Sequence, residues 1–203
     1  MTLPIPHDSH QSGLTWPEHR MDEFIHTYIL NSNSELYNED HEHLEDARIL
    51  WLWCAASNIR KGREVLGMAE IPMFRCGKWQ KARQEQQIME WYGEDIMPDF
   101  IITLSAGFFA TAPNPAKLAV LEHELYHCAH AIDEFGMPRF NKTTGQPVYT
   151  IAGHDVEEFT GVVRRYGADA TGIRDMVRAA NKGPEIAQST IDGVCGTCAK
   201  KVG

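Results

Sequence analysis

Two near-continuous apolar runs and one long helical stripe organise this chain. Ala47–Ala55 and Asp99–Ser105 are rich in Ile, Leu, Trp and Phe, and their length suits buried strands better than helices. Leu118, Leu121, Leu125, Cys128, Ile132 and Phe135 recur at helical spacing. Asn114 is a good N-cap, Pro115 suits the first helical position, and Gly136 with Pro138 beyond it can close the element, so one helix is expected over 114–136.

Weaker signals fill the intervals. Thr15-Trp16-Pro17-Glu18 opens a helix expected to reach about Leu30, and Asn31–Ser34 is a turn cluster. Glu35–Asp46 reads as a solvated acidic helix, with His41 and His43 inside it at a spacing unsuited to sharing a metal. Ser57–Gly62 is basic and turn-like. Val65–Phe74 is a strand weakened by Gly67 and Pro72, and Gly77–Tyr92 is a surface helix. Downstream, Thr143-Thr144-Gly145 centres a β-hairpin over Arg139–Ile151. Helices are expected over Asp155–Tyr166 and Thr171–Asn181, ended by Gly167 and by Gly183-Pro184. Strands alternating with helices predict an α+β fold, a small sheet with helices mainly on one side. Residues 1–14 read as a flexible leader, 15–183 as the domain and 184–203 as a weakly patterned tail.

The length of 203 residues fits one such domain, and a net charge of -9 argues against a generic nucleic-acid-binding surface. No apolar run approaches the ~20 residues that span a bilayer, and the N-terminus lacks a basic-then-apolar signal, so a cytoplasmic protein without membrane contact is expected. Five cysteines, an odd number, suit reduced thiols. Cys195-Gly-Thr-Cys198 is half of a zinc-ribbon pattern with no second pair to complete it.

The long helix carries His123-Glu124-Leu125-Tyr126-His127, an H-E-x-x-H. Four residues make about one helical turn, so both imidazoles leave the same face and can reach one zinc ion. Glu124 lies about 100° around the helix, within reach of a water on that ion. Zinc lowers the pKa of such a water to roughly 7 and polarises a carbonyl, and a nearby carboxylate can take the proton. The motif therefore points to zinc-dependent peptide hydrolysis, with Glu124 as general base.

A catalytic zinc usually has three protein ligands and one open position. The downstream candidates are His130, His154, Glu157 and Glu158. His130 lies seven residues beyond His123, about 10 Å along a continuous helix, too far to share the ion comfortably. Gly153 permits a turn that would aim His154 from the mouth of the next helix. Asp155 and Glu158 form a capping box, and Glu157 suits the positive helix end, so both glutamates have competing structural roles. His154 is favoured, with Glu157 and Glu158 still open.

The segments His123-Glu-Leu-x-His127-Cys, Gly153-His154-Asp-Val-Glu-Glu-Phe159 and Arg165-Tyr-Gly167 resemble the phage metallopeptidase family. Ala47-Arg-Ile, Lys61-Gly-Arg-x-Val-Leu-Gly67 and Asp99-Phe-Ile-Ile extend the similarity over roughly residues 44–167. More distantly the layout is similar to SprT-like and WLM-type zinc proteases. The resemblance implies a minimal zincin-like domain, a small mixed sheet with an active-site helix, His154 as third ligand, and a phage or prophage origin that would put the protein in the host cytoplasm.

The leading functional expectation is a zinc metallopeptidase acting on protein or peptide substrates. Alternatives are a SprT-like protease of DNA-associated proteins and a catalytically inert, metal-stabilised interaction protein. Tyr149 and Tyr166 are candidate donors to an oxyanion. Substrate is expected to add as a strand to an open edge of Asp99–Ser105, or, if that segment is paired on both sides, to be held by the hairpin around Thr144.

Overall fold

The computed structural model describes residues 2–6, 14–60, 62–156, 159–170 and 172–186. In chain order the elements are β1 (Thr15–Pro17), α1 (Arg20–Tyr28), a 3-10 turn (Glu39–Leu44), β2 (Ile49–Cys54), the short pair β3 (Ile59–Arg60) and β4 (Arg63–Glu64), β5 (Gly67–Glu70), α2 (Lys78–Tyr92), β6 (Phe100–Ser105), α3 (Ala106–Thr111), α4 (Asn114–His127), β7 (Cys128–His130), β8 (Tyr149–Ile151), α5 (Thr160–Ala170) and α6 (Arg174–Lys182). The architecture is α+β with a small mixed sheet, as the alternation of strands and helices predicts. None of the described helices is long and apolar enough to cross a membrane.

The main sheet has the order β1-β2-β6-β5. β2 and β6 run parallel at its centre, with Ile49 opposite Phe100 through to Cys54 opposite Ser105. Both faces of this pair are covered. Trp51, Trp53, Phe100, Ile102 and Leu104 pack with α1 and α4, while Leu50, Leu52 and Ile101 pack with Ile88 of α2. Two-sided burial explains why these strands read as continuous apolar runs instead of alternating ones. The register is pinned where the strands begin. Arg48 donates to both carboxylate oxygens of Asp99 at 2.7 and 2.9 Å, and the Asp99 and Phe100 amides donate to the Arg48 carbonyl.

The central place of β6 overturns the expected open edge. It pairs with β2 on one side and antiparallel with β5 on the other, so Asp99–Ser105 has no free backbone for a substrate. β1 and β5 are the strands left with an unpaired side, and of the two it is β5 that packs against α4. Three further expectations change. Thr15–Pro17 is a strand against Leu52–Cys54, not the first turn of a helix. Glu18 ties it down, its amide donating to the Trp51 carbonyl and its carboxylate accepting from the Trp53 indole. In the supposed leader, Leu3 is buried in the main core. At the other end Ile186 packs against that core, whereas Cys195 and Cys198 lie outside the described residues, as do 7–13 of the leader.

The acidic segment is a 3-10 turn with a buried inner side. His41 is 0 % exposed and packs edge-on to Tyr126, with ring centroids 4.5 Å apart. Neither of its ring nitrogens has a hydrogen-bond partner. Burial, and then the neighbouring His43, push its pKa down to about 4. The folded state therefore holds His41 neutral, and the unfolded state binds the extra proton. Its contribution is fully present above about pH 6.5 and is lost progressively as pH falls towards about 4, a change on the order of 3 kcal/mol. His41→Phe should melt no lower than the parent at neutral pH and lose less stability across that interval. Parallel stability–pH curves for the two proteins, measured by urea denaturation, would refute this.

Candidate metal centre

The H-E-x-x-H occupies the last turn of α4. Leu118, Leu121 and Leu125 are buried in the core, while His123 is exposed and His127 half-buried on the other side. The helix stops at His127, because Cys128 turns to extended backbone (φ -81°, ψ 96°) and begins β7. The helix expected to run to Gly136 is thus shorter, and Ile132 and Phe135 at the end of the supposed stripe are 64 % and 80 % exposed. Two features stabilise the early exit. His43 Nε2 lies 2.7 Å from the Cys128 carbonyl, and β7 gains a partner in β8.

Between those strands the chain folds as a meander. Ile132 bridges Pro138, and Phe140 bridges Pro147. The Asn141 carboxamide accepts from the Thr143 and Thr144 amides, so the turn falls where the sequence places it. The return strand pairs Ile151 with Cys128 and brings Ala152 back beside the helix end. The Ala152 amide donates to the His127 carbonyl at 2.8 Å, and His127 Nδ1 lies 2.7 Å from the Ala152 carbonyl. A carbonyl only accepts, so Nδ1 carries the proton and Nε2 offers a lone pair. Two residues later His154 faces the helix.

The three imidazoles meet. His123 Nε2 is 3.3 Å from His127 Nε2 and 3.2 Å from His154 Nε2, and all three ligand atoms lie within 4.8 Å of one another. Zinc–nitrogen bonds of about 2.0–2.1 Å in tetrahedral array would put neighbouring nitrogens about 3.3–3.4 Å apart, so the spacing suits one ion of that size. Burial, followed by the proximity of His127 and His154, lowers the pKa of His123 and keeps its ring neutral, the form that ligates. Among the described residues this is the only cluster of three or more His, Cys, Asp or Glu able to hold a metal.

Glu124 is only 4 % exposed, held between α4 and β5. A Cβ on Gly67 would lie 2.4 Å from Glu124 Oε1, so the strand approaches this closely only because residue 67 is glycine. Burial raises the Glu124 pKa, and both His127 and a hydrogen bond from the Ala69 amide act in the opposite direction. The carboxylate has a fixed position and a raised proton affinity, two properties that a general base needs.

A cleft of about 800 Å³ runs past these groups, lined by β5, by His123, Glu124 and His127 from α4, and by Ile151–His154. Other candidates lie elsewhere. His130 sits on β7, stacked on Tyr149, because the helix has already ended. The Tyr149 ring packs on Phe100, and Tyr166 is on α5 under Arg165; neither lines the cleft, and nor does the Thr144 turn. Glu157 and Glu158 lie outside the described residues. Sequence reasoning missed Gly67, Ala69 and the Ala152 carbonyl. Gly67 carried a signal, a glycine in a strand, whereas backbone groups carry none.

A family model described as "Putative phage metallopeptidase" matches residues 22–181. No curated protein and no solved structure matches the chain. In zinc titrations, His154→Ala should weaken binding on the order of a hundredfold or more, while His130→Ala should leave it unchanged. Equal effects of the two substitutions would contradict this placement.

Proposed function

The chain belongs to the phage metallopeptidase family, and on that premise we propose a zinc-dependent peptidase in which His123, His127 and His154 hold the metal and Glu124 is the general base. The observation that carries this reading is the convergence of three Nε2 atoms beside a buried glutamate that is not one of the cluster. Three imidazoles suit zinc, and an ion held by His123, His127 and His154 would border the cleft that these residues line. Zinc bound there would supply Lewis acidity, polarising a peptide carbonyl and making water a better nucleophile.

The chain's own residues supply the remainder. Glu124 accepts the proton from the attacking water at its carboxylate and can pass it to the leaving amine. The Ala69 amide keeps that carboxylate from swinging away. His127 is oriented by its bond to the Ala152 carbonyl, so its ring need not reorganise on ligation. The substrate is a protein or peptide, as a peptidase family implies, and β5 is the element placed to hold it. The Ser105 amide donates to the Leu66 carbonyl, so Leu66 and Met68 face β6. Backbone groups alternate along an antiparallel strand, which turns Gly67 and Ala69 to the open edge. The Gly67 amide and the Gly67 and Ala69 carbonyls can then pair with an extended peptide whatever its sequence.

Glu124→Gln should keep stoichiometric zinc and the bond from the Ala69 amide, yet lose hydrolysis by a factor on the order of 10²–10⁴. Gly67→Ala should also keep zinc and lose hydrolysis, because its methyl group displaces the Glu124 carboxylate. Cleavage of a protein substrate, followed alongside metal content, reads both. Undiminished hydrolysis by Glu124→Gln would remove Glu124 from the mechanism.

A further inference from the structure

The rim of the cleft contains two cations that the proposed chemistry does not use. β3 and β4 form a hairpin just before β5, with Arg60 directly opposite Arg63 across a two-residue loop. Residues paired across a hairpin share a face, so the Arg60 and Arg63 side chains leave the two strands on the same side, and Ile59 and Glu64 form the next pair. Like charges opposite one another destabilise a strand pair, and among the described residues no ion pair offsets this one. Both arginines are exposed, and both line the cleft that holds His123, Glu124 and His154, with Glu64 the one acidic side chain of the hairpin beside them. The chain as a whole is acidic, with a net charge of -9, so this cationic rim runs against its general balance.

We propose that Arg60 and Arg63 form a carboxylate-binding subsite, making the cleft selective for peptides with an acidic group within a few residues of the cleaved bond. The inference rests on the peptidase reading and names its substrate class. An arginine pair suits the role because each guanidinium can donate two parallel hydrogen bonds to a carboxylate. The position suits it too. The hairpin leads directly into Val65, Leu66 and then β5, so a peptide paired along the Gly67–Ala69 edge passes the arginines within a few residues. The bound carboxylate also relieves the repulsion between the two cations. It can come from an Asp or Glu side chain or from a peptide C-terminus.

The test is binding, measured by fluorescence anisotropy on the zinc-loaded full chain carrying Glu124→Gln to prevent turnover. The probes are a labelled peptide of alternating Gly and Glu, its Gly and Gln counterpart, and each in free-acid and C-terminally amidated form. The Glu peptide should bind about tenfold tighter than the Gln peptide, with the difference shrinking in high salt. Adding Arg60→Glu and Arg63→Glu should bring that ratio to one or below, with zinc content and melting temperature retained. A preference that follows the free C-terminus and not Glu assigns the subsite to terminal carboxylates; the reverse assigns it to side chains. Equal binding of all four peptides, absence of binding, or an unchanged ratio in the charge-reversed protein would overturn the proposal. So would an oligonucleotide that displaces the Glu peptide and binds more tightly. Acid-selective binding without hydrolysis by the parent chain would sink the peptidase reading and leave the subsite standing; hydrolysis without acid preference would do the opposite.

Discussion

The candidate site depends on a two-way link between the end of a helix and a returning strand. His127 accepts the Ala152 amide at its carbonyl and reaches the Ala152 carbonyl through Nδ1. The first contact fixes where the chain comes back after the excursion from Cys128 to Ile151. The second fixes which nitrogen of His127 is left with a lone pair. His154, two residues beyond Ala152, then lies opposite His123. A shift of one residue in the β7–β8 register would turn these backbone groups away from each other and remove His154 from the cluster. The short exit of α4 is part of the same device, because a helix continuing to Gly136 would leave no strand for β8 to pair with.

A second constraint sets the position of Glu124. Glu124 shares the helix with both histidines but points to the sheet side, where Gly67 allows a backbone approach that any side chain would block. The Ala69 amide compensates part of the cost of burying a carboxylate there. The strand that holds Glu124 also presents an open edge of the sheet, so in the proposed function a single element positions both the carboxylate and an extended chain. That arrangement follows from β6 lying at the centre of the sheet, clamped through Arg48 and Asp99 to β2.

Much of this was legible in the sequence, and the parts that were not share a physical cause. The two apolar runs identified β2 and β6 because burial on both faces removes alternation. The same continuity signalled a central strand, at odds with the edge role expected for Asp99–Ser105. The H-E-x-x-H spacing placed His123, Glu124 and His127 on one turn, and Gly153 marked the bend before His154. The helix end carries no local signal because Ile132 and Phe135 keep a helical spacing by chance, whereas what ends the helix, a carbonyl bond to His43 and strand pairing with Tyr149–Ile151, is tertiary. The acidic neighbours of His41 signal a solvated segment, yet the 3-10 turn folds it inward against Tyr126. The arginine rim needed the hairpin register before Arg60 and Arg63 could be seen to face one another.

X-ray absorption at the zinc edge of the metal-loaded chain counts and identifies the atoms around the ion, and so tests whether His123, His127 and His154 hold it. Three imidazole nitrogens at about 2.0–2.1 Å and one oxygen atom from solvent are the expected neighbours. A sulfur neighbour at about 2.3 Å would place Cys195 or Cys198 in the site, and a two-imidazole shell completed by carboxylate would replace His154 with a glutamate. Either result would contradict the ligand set on which the proposed function stands.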